Sequence, residues 1–138
     1  EGVTIKIYVD TCVYVDLFEG RKDRFRDLGE FALDVFRQVR DKRYKLVVSD
    51  WLLHELEKYD HQNRFKEFIR SFEEDRLISV ERTPKDETEA GRLSKNNFTD
   101  AMHVVLAKKA NAVYLVTRNV QDFAEFQKII RIVSPEFL

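Results

Sequence analysis

The chain has 138 residues, 43% apolar and 36% charged, with four Gly and two Pro; that make-up excludes a linker, a disordered tail or a collagen-like repeat and describes a helix-rich globular chain. Lys and Arg number 24 against 25 Asp and Glu, a net charge of −1, which excludes a uniformly basic nucleic-acid coat but leaves room for local phosphate-binding clusters. One Cys excludes an internal disulfide, and no apolar run reaches membrane-spanning length or resembles a signal peptide, so a cytoplasmic protein without a membrane partner is expected.

A length of 138 residues fits one domain with one core, predicted to span 1–138. Ile5 to Asp10 alternates branched and aromatic residues and stops at a carboxylate, the pattern of a short buried strand, and Thr11 can cap a helix that starts at once. That helix is predicted over Thr11 to Glu19, with Gly20 as its cap. From Arg21 to Lys42, the apolar positions Phe25, Leu28, Phe31, Ala32, Val35, Phe36 and Val39 recur at three and four, predicting one amphipathic helix. Lys45 to Ser49 is a second strand, and Ser49 or Asp50 caps a helix carrying Trp51, Leu52, Leu53, Leu56 and Tyr59.

A break near Asp60 to Asn63 leads into a helix with Phe65, Phe68, Ile69 and Phe72, and Leu77 to Val80 is a third strand. Thr83-Pro84 starts a helix that runs to about Lys95, with Asp86 and Glu87 at its positive end. After Asn96-Asn97, an Ala-rich helix begins at Thr99-Asp100; helices of this kind lie close against a sheet. Ala112 to Thr117 is a fourth strand, Asp122-Phe123 opens a short helix, and Ile129 to Val133 is a fifth strand. Strands alternating with helices predict parallel pairing through right-handed crossovers, an α/β architecture with helices on both faces of the sheet. No Gly-rich phosphate loop follows any strand, which removes the main support for a dinucleotide or P-loop site.

Four polar residues occupy comparable places: Asp10 after the first strand, Glu55 in the helix after the second, Asp100 at the start of the Ala-rich helix, and Asn119 after the fourth strand. A doubly wound sheet gathers strand ends and helix starts at one edge, where ligands bind. Three carboxylates and an amide suit Mg²⁺ or Mn²⁺, since crowded carboxylates repel unless a divalent cation offsets them. Such an ion lowers the pKa of water and stabilises charge on a phosphodiester under attack, so the predicted reaction is metal-assisted phosphodiester hydrolysis.

Plainer roles stand beside these. Asp10 can cap a helix, and Asp100 can serve a helix dipole. Thr11 and Thr117 are read as caps or turn hydroxyls that could hold a carboxylate. Cys12 is read as a small buried side chain, and His103, one turn beyond Asp100, as a packed histidine within reach of the site. Arg118 could hold an RNA phosphate. The phenylalanine stripes at Phe31, Phe36, Phe65, Phe68 and Phe72 read as core, or as a dimer or partner groove.

The pieces Tyr-Val-Asp-Thr-Cys-Val-Tyr-Val-Asp-Leu-Phe, Val-Ser-Asp-Trp-Leu-Leu-His-Glu-Leu, Asn-Phe-Thr-Asp-Ala-Met-His-Val-Val-Leu-Ala and Tyr-Leu-Val-Thr-Arg-Asn-Val-Gln-Asp-Phe occur in this order. Together they resemble the four motifs of the PIN-domain ribonucleases, which include the VapC-type toxins of prokaryotic toxin–antitoxin systems. The resemblance implies a three-layer α/β/α sandwich with a central parallel sheet of about five strands. It further implies Mg²⁺ or Mn²⁺ dependence and cleavage of single-stranded or structured RNA. For VapC-like members it implies a homodimer inhibited by a small antitoxin protein. Asp10, Glu55 and Asp100 match the family's first three acids. Asn119 stands where many members carry a fourth Asp, which implies weaker metal affinity or a one-metal site, with Asp122 as a secondary candidate ligand.

Three other readings remain open on sequence grounds. One is a non-catalytic RNA-binding or protein-interaction module that keeps the fold. Another is an RNA-processing nuclease outside a toxin–antitoxin pair. The third, a phosphotransferase with Asp10 as nucleophile, meets Cys12 where a second Asp is usual.

Overall fold

The computed structural model describes residues 4–138, and its centre is β1, Ile5–Val9, whose Ile7, Tyr8 and Val9 are fully buried. A strand covered on both faces has no solvent side to keep polar, so it reads as an almost continuous apolar run. β2 (Tyr44–Ser49) and β3 (Leu77–Val80) lie on one side of β1, and β4 (Tyr114–Val116) and β5 (Arg131–Val133) on the other, in the order β3-β2-β1-β4-β5. All four pairings are parallel. This is the three-layer parallel α/β sandwich expected from the sequence.

The topology fixes where a ligand can sit. From β1 the chain winds outward through β2 and β3, then returns to the other side of β1 for β4 and β5. The order therefore reverses between β1 and β4, and the crevice opens there, at the carboxyl ends of the two strands. The Asp10 N–H donates to the Val116 carbonyl at 2.9 Å and closes the sheet at this point.

α1 (Thr11–Glu19) follows β1 without a loop, because Asp10 is extended and its side chain accepts from the Thr11 N–H. Gly20 ends α1 in the left-handed region at φ 59°, donating to the Asp16 and Leu17 carbonyls. α3 (Asp50–Glu57) leaves β2 in the same way, with the Ser49 hydroxyl accepting from the Leu52 N–H. α4 (Gln62–Arg70) packs back on α3. α5 (Pro84–Leu93) starts with a reciprocal cap between Thr83 and Asp86. α6 (Phe98–Lys109) buries every residue from Ala101 to Ala107, so it lies deep against the sheet as its small side chains predict. Among the described residues, no helix is long and apolar enough to cross a membrane.

Two expectations need correction. The helix predicted over 21–42 is α2 (Leu28–Arg40); the seven residues before Leu28 form a turn closed by a bridge between Lys22 and Asp27. Asp23 accepts from the Phe25 and Arg26 N–H groups and Asp27 from the Glu30 N–H, so two acids take the donors that a longer helix would need. Phe25, placed on the apolar stripe by its spacing, is 86% exposed as a result. The short helix expected at Asp122-Phe123 is a 3₁₀ segment that already begins at Val120.

The phenylalanine stripes are packed together. Phe36 of α2 is fully buried, with ring centroids of Tyr14 and Phe68 each 4.9 Å away and Phe72 at 6.4 Å, so one aromatic cluster joins α1, α2 and α4. Tilted and edge-on contacts of this kind add to the free energy of burial. Phe36→Ala removes the middle of the cluster and is predicted to destabilise the protein by about 3–5 kcal/mol. Urea unfolding followed by circular dichroism measures this, and a loss below about 1 kcal/mol would show that the cluster is peripheral.

Candidate metal centre

Asp10 leaves the end of β1 almost fully buried, at 5% exposure, and every acceptor position facing the protein is used. The Thr11 N–H donates to Oδ1 at 2.8 Å, the Thr117 hydroxyl to Oδ2 at 2.8 Å, and the Cys12 thiol to Oδ2 at 3.3 Å. Thr117 is the first residue after β4 and in turn accepts from the Asn119 N–H at 3.0 Å. A carboxylate fixed by three donors on neighbouring elements has one orientation. Burial, and then the Asp10 charge, push the Cys12 thiol up, so it stays protonated and acts as a donor, not a nucleophile.

Glu55 reaches the same point from the second turn of α3. Its Oε1 accepts from the Thr11 hydroxyl at 2.5 Å and from His103 Nε2 at 2.6 Å. His103 Nε2 is also 3.4 Å from Asp10 Oδ1. On the far side of the imidazole, Nδ1 is 2.7 Å from the Tyr8 hydroxyl, which lies 2.8 Å from Ser49 Oγ. One buried chain of polar groups therefore runs Ser49, Tyr8, His103, Glu55 and Thr11, and ends at the Asp10 carboxylate, which accepts from the Thr11 N–H. Burial disfavours the charged imidazole, but the Glu55 hydrogen bond and the charges of Asp10, Glu55 and Asp100 outweigh it and hold His103 above its usual range. Burial likewise works against the Glu55 carboxylate; the His103 and Thr11 bonds prevail and keep its pKa low.

Asp10, Glu55 and His103 each offer one ligand atom, and these atoms lie within 4.8 Å of one another. Asp100, on the first turn of α6, opens on the same cleft of about 220 Å³, together with Thr11, Cys12, Lys58 and Tyr59. Its carboxyl is pushed up to about 6, first by burial and then by the negative charge of Asp10. The part of that shift that comes from Asp10 and Glu55 marks a surplus of negative charge at the cleft. Oxygen donors with that surplus suit a hard divalent cation, so the residues present fit Mg²⁺ or Mn²⁺.

Of the candidates named from sequence, Asp10, Glu55 and Asp100 line one cleft, with Thr11 and Thr117 holding Asp10 and Glu55. Asn119 and Asp122 are not among the residues lining that cleft. They line a separate depression with Arg118, and the Asn119 Oδ1 accepts from Arg118 Nη1 at 3.3 Å. The Asn119 backbone touches Asp10 only through Thr117. Asp122 is exposed, and its backbone carbonyl accepts from Asn97 Nδ2 at 3.0 Å, just before the start of α6. Arg118, named as a candidate for an RNA phosphate, donates from Nε to the buried Asp16 at 2.7 Å and keeps about a quarter of its side chain exposed. His103, read from sequence as a packed histidine within reach of the site, is fully buried and bonds to Glu55. The signal was its position one helical turn after Asp100.

A parallel sheet with a buried acid cluster at its switch point defines a PIN-like α/β fold. The chain belongs to the PIN domain family, whose family model matches residues 6–121. No curated protein matches it. Among solved structures, it is similar to a chain of a toxin-antitoxin complex from Klebsiella pneumoniae, with a TM-score of 0.64 and 20% identity, covering 94% of this chain and 97% of that one. A chain of VapBC2 from Rickettsia felis, bound to a DNA fragment from its promoter, gives a TM-score of 0.63 and 18% identity, covering 94% and 98%. At these identities the likeness is one of fold.

The Asp100 environment sets a pH dependence. The folded pKa of about 6 exceeds the unfolded value near 3.8, so ionisation costs stability as pH rises through that window, and the cost persists above it. Asp100→Asn in chelator is therefore predicted to be more stable than wild type at pH 7.5, by about 1 kcal/mol after allowance for partial solvent screening. Thermal unfolding between pH 7.5 and 4.5 checks this. The gap should narrow as the pH falls, and a gap independent of pH would refute the assignment.

Proposed function

We propose that the chain is a Mg²⁺- or Mn²⁺-dependent endoribonuclease acting as a VapC-type toxin. The observation that supports this reading is the convergence of Asp10, Glu55 and His103 ligand atoms within 4.8 Å, with Asp100 on the same cleft, in a chain of the PIN domain family. Asp10, Glu55 and Asp100 would hold the cation. When bound, it supplies the positive charge that offsets the phosphodiester's developing negative charge and makes the attacking water more acidic.

The remaining work falls to the protein. Thr11 and Thr117 hold the Asp10 and Glu55 carboxylates in fixed directions, so little reorganisation accompanies reaction. His103, fastened behind by Tyr8, keeps Glu55 ionised and turned toward Asp10. Burial keeps the Tyr8 hydroxyl protonated, so it serves as a neutral link. The separation of Asn119 from the acids bears on the non-catalytic reading: the Asn that stands where many members carry an acid lies outside the cleft that gathers the other three.

The fold neighbours are toxin-antitoxin complexes, which supports a small antitoxin as partner, and a homodimer follows from the VapC reading. In the assay that tests this function, the purified protein cleaves RNA with Mn²⁺ or Mg²⁺. Chelator removes the activity, and Asp10→Asn lowers it by at least about a hundredfold. Cleavage that continues in excess chelator, or in Asp10→Asn at the wild-type rate, contradicts the mechanism.

A further inference from the structure

Lys58 and Tyr59 lie three and four positions beyond Glu55, on the side of α3 that carries Glu55 to the other acids. Both line the cleft that holds Asp10, Glu55 and Asp100. The turn that presents them is closely tied down. The N–H groups of Lys58, Tyr59, Asp60 and His61 donate to the carbonyls of Glu55, Leu56, Glu57 and Leu56 at 3.0–3.1 Å. Asp60 takes a left-handed φ of 59° and turns the chain away immediately after Tyr59. The backbone is thus fixed while the side chains face solvent.

Tyr59 is 50% exposed although its spacing placed it on an apolar stripe. Among the described residues, its ring stacks on no other ring or cation, its hydroxyl has no hydrogen-bond partner, and Lys58 has no ion-pair partner. The Lys58 charge nevertheless acts on Glu55, contributing to the low pKa of that carboxyl. A cation and an unpaired aromatic ring on the rim of an acidic cleft answer a specific need. A polyanion approaching three carboxylates is repelled, and it requires a cation at the entrance and a surface for a base.

We infer that Lys58 and Tyr59 form the strand-holding rim of the site. Lys58 pairs with a phosphate, and Tyr59 stacks on the base of a nucleotide beside the phosphodiester that meets the acids. A base inside a duplex has both faces covered and cannot receive a tyrosine ring, so the rim engages a base only where the strand is unpaired. This rests on the nuclease reading above and assigns the two side chains that hold the strand. Tyr59 and Lys58 are positioning residues: they place the strand and leave the chemistry to the acids.

The test pairs two readouts. Fluorescence anisotropy with Ca²⁺ follows binding of a labelled, mixed-sequence single-stranded RNA of a dozen nucleotides and of its duplex. Cleavage of the single strand with Mn²⁺ gives KM and kcat. Tyr59→Ala is expected to weaken single-strand binding and raise KM about tenfold while kcat changes less than about threefold. Tyr59→Phe, which keeps the ring, should stay near wild type, and Lys58→Gln should weaken binding and flatten its salt dependence. Duplex binding should be weaker than single-strand binding and indifferent to Tyr59.

Wild-type binding of single strand by Tyr59→Ala, equal losses in Tyr59→Phe and Tyr59→Ala, or no single-strand binding by the wild-type protein overturns the inference. The two readings fail separately. Tyr59-dependent binding without cleavage sinks the nuclease and keeps the rim; cleavage unaffected by Tyr59→Ala sinks the rim and keeps the nuclease.

Discussion

The structure is arranged around the crowding of carboxylates about one buried imidazole. Asp10 and Glu55 both lie within 3.4 Å of His103 Nε2, and Asp100 opens on the same cleft. Like charges drawn this close in a medium less polar than water repel strongly. Glu55 and the neighbouring acids hold the His103 pKa up, and burial, then the Asp10 charge, holds that of Asp100 up. Carboxylates gathered in one cleft suit a hard divalent cation. The protein tolerates the arrangement because Thr11, Thr117, Cys12 and Tyr8 satisfy the polar atoms around it, so what remains unpaid is charge, not hydrogen bonding.

The sheet makes this crowding possible. Asp10 follows β1, Ser49 ends β2, and Thr117 follows β4, three neighbouring parallel strands whose carboxyl ends share one edge. α6 crosses over that edge buried from Ala101 to Ala107, and its first turn is thereby fixed above β1 with Asp100 and His103 one turn apart. The aromatic cluster of α1, α2 and α4 lies among helices away from the acids and anchors the start of α1, from which Thr11 reaches Glu55. Stability and site thus meet in α1.

Much of this was legible in the sequence, for identifiable reasons. The buried strands showed as branched runs ending in Asp10, Ser49 and Thr117, and α1 and α3 announced themselves by caps placed directly after the strands. Asp10, Glu55 and Asp100 were legible because each sits at a strand end or helix start, which a doubly wound sheet must gather. Asn119 and Asp122 line a neighbouring depression, because the segment after β4 turns as a 3₁₀ helix, which periodicity does not register. The pairing of Arg118 with Asp16 was not legible, because it is a contact of long sequence separation with no periodic signal. The start of α2 was misplaced because periodicity does not register the side chains of Asp23 and Asp27 competing for backbone donors.

The central claim is that the acids of the first three motifs share one cation. Anomalous diffraction from crystals soaked in Mn²⁺ addresses it most directly. The account predicts a peak bounded by the carboxylates of Asp10, Glu55 and Asp100. A peak in the depression of Asn119 and Asp122 instead, or no peak at saturating Mn²⁺, would contradict it.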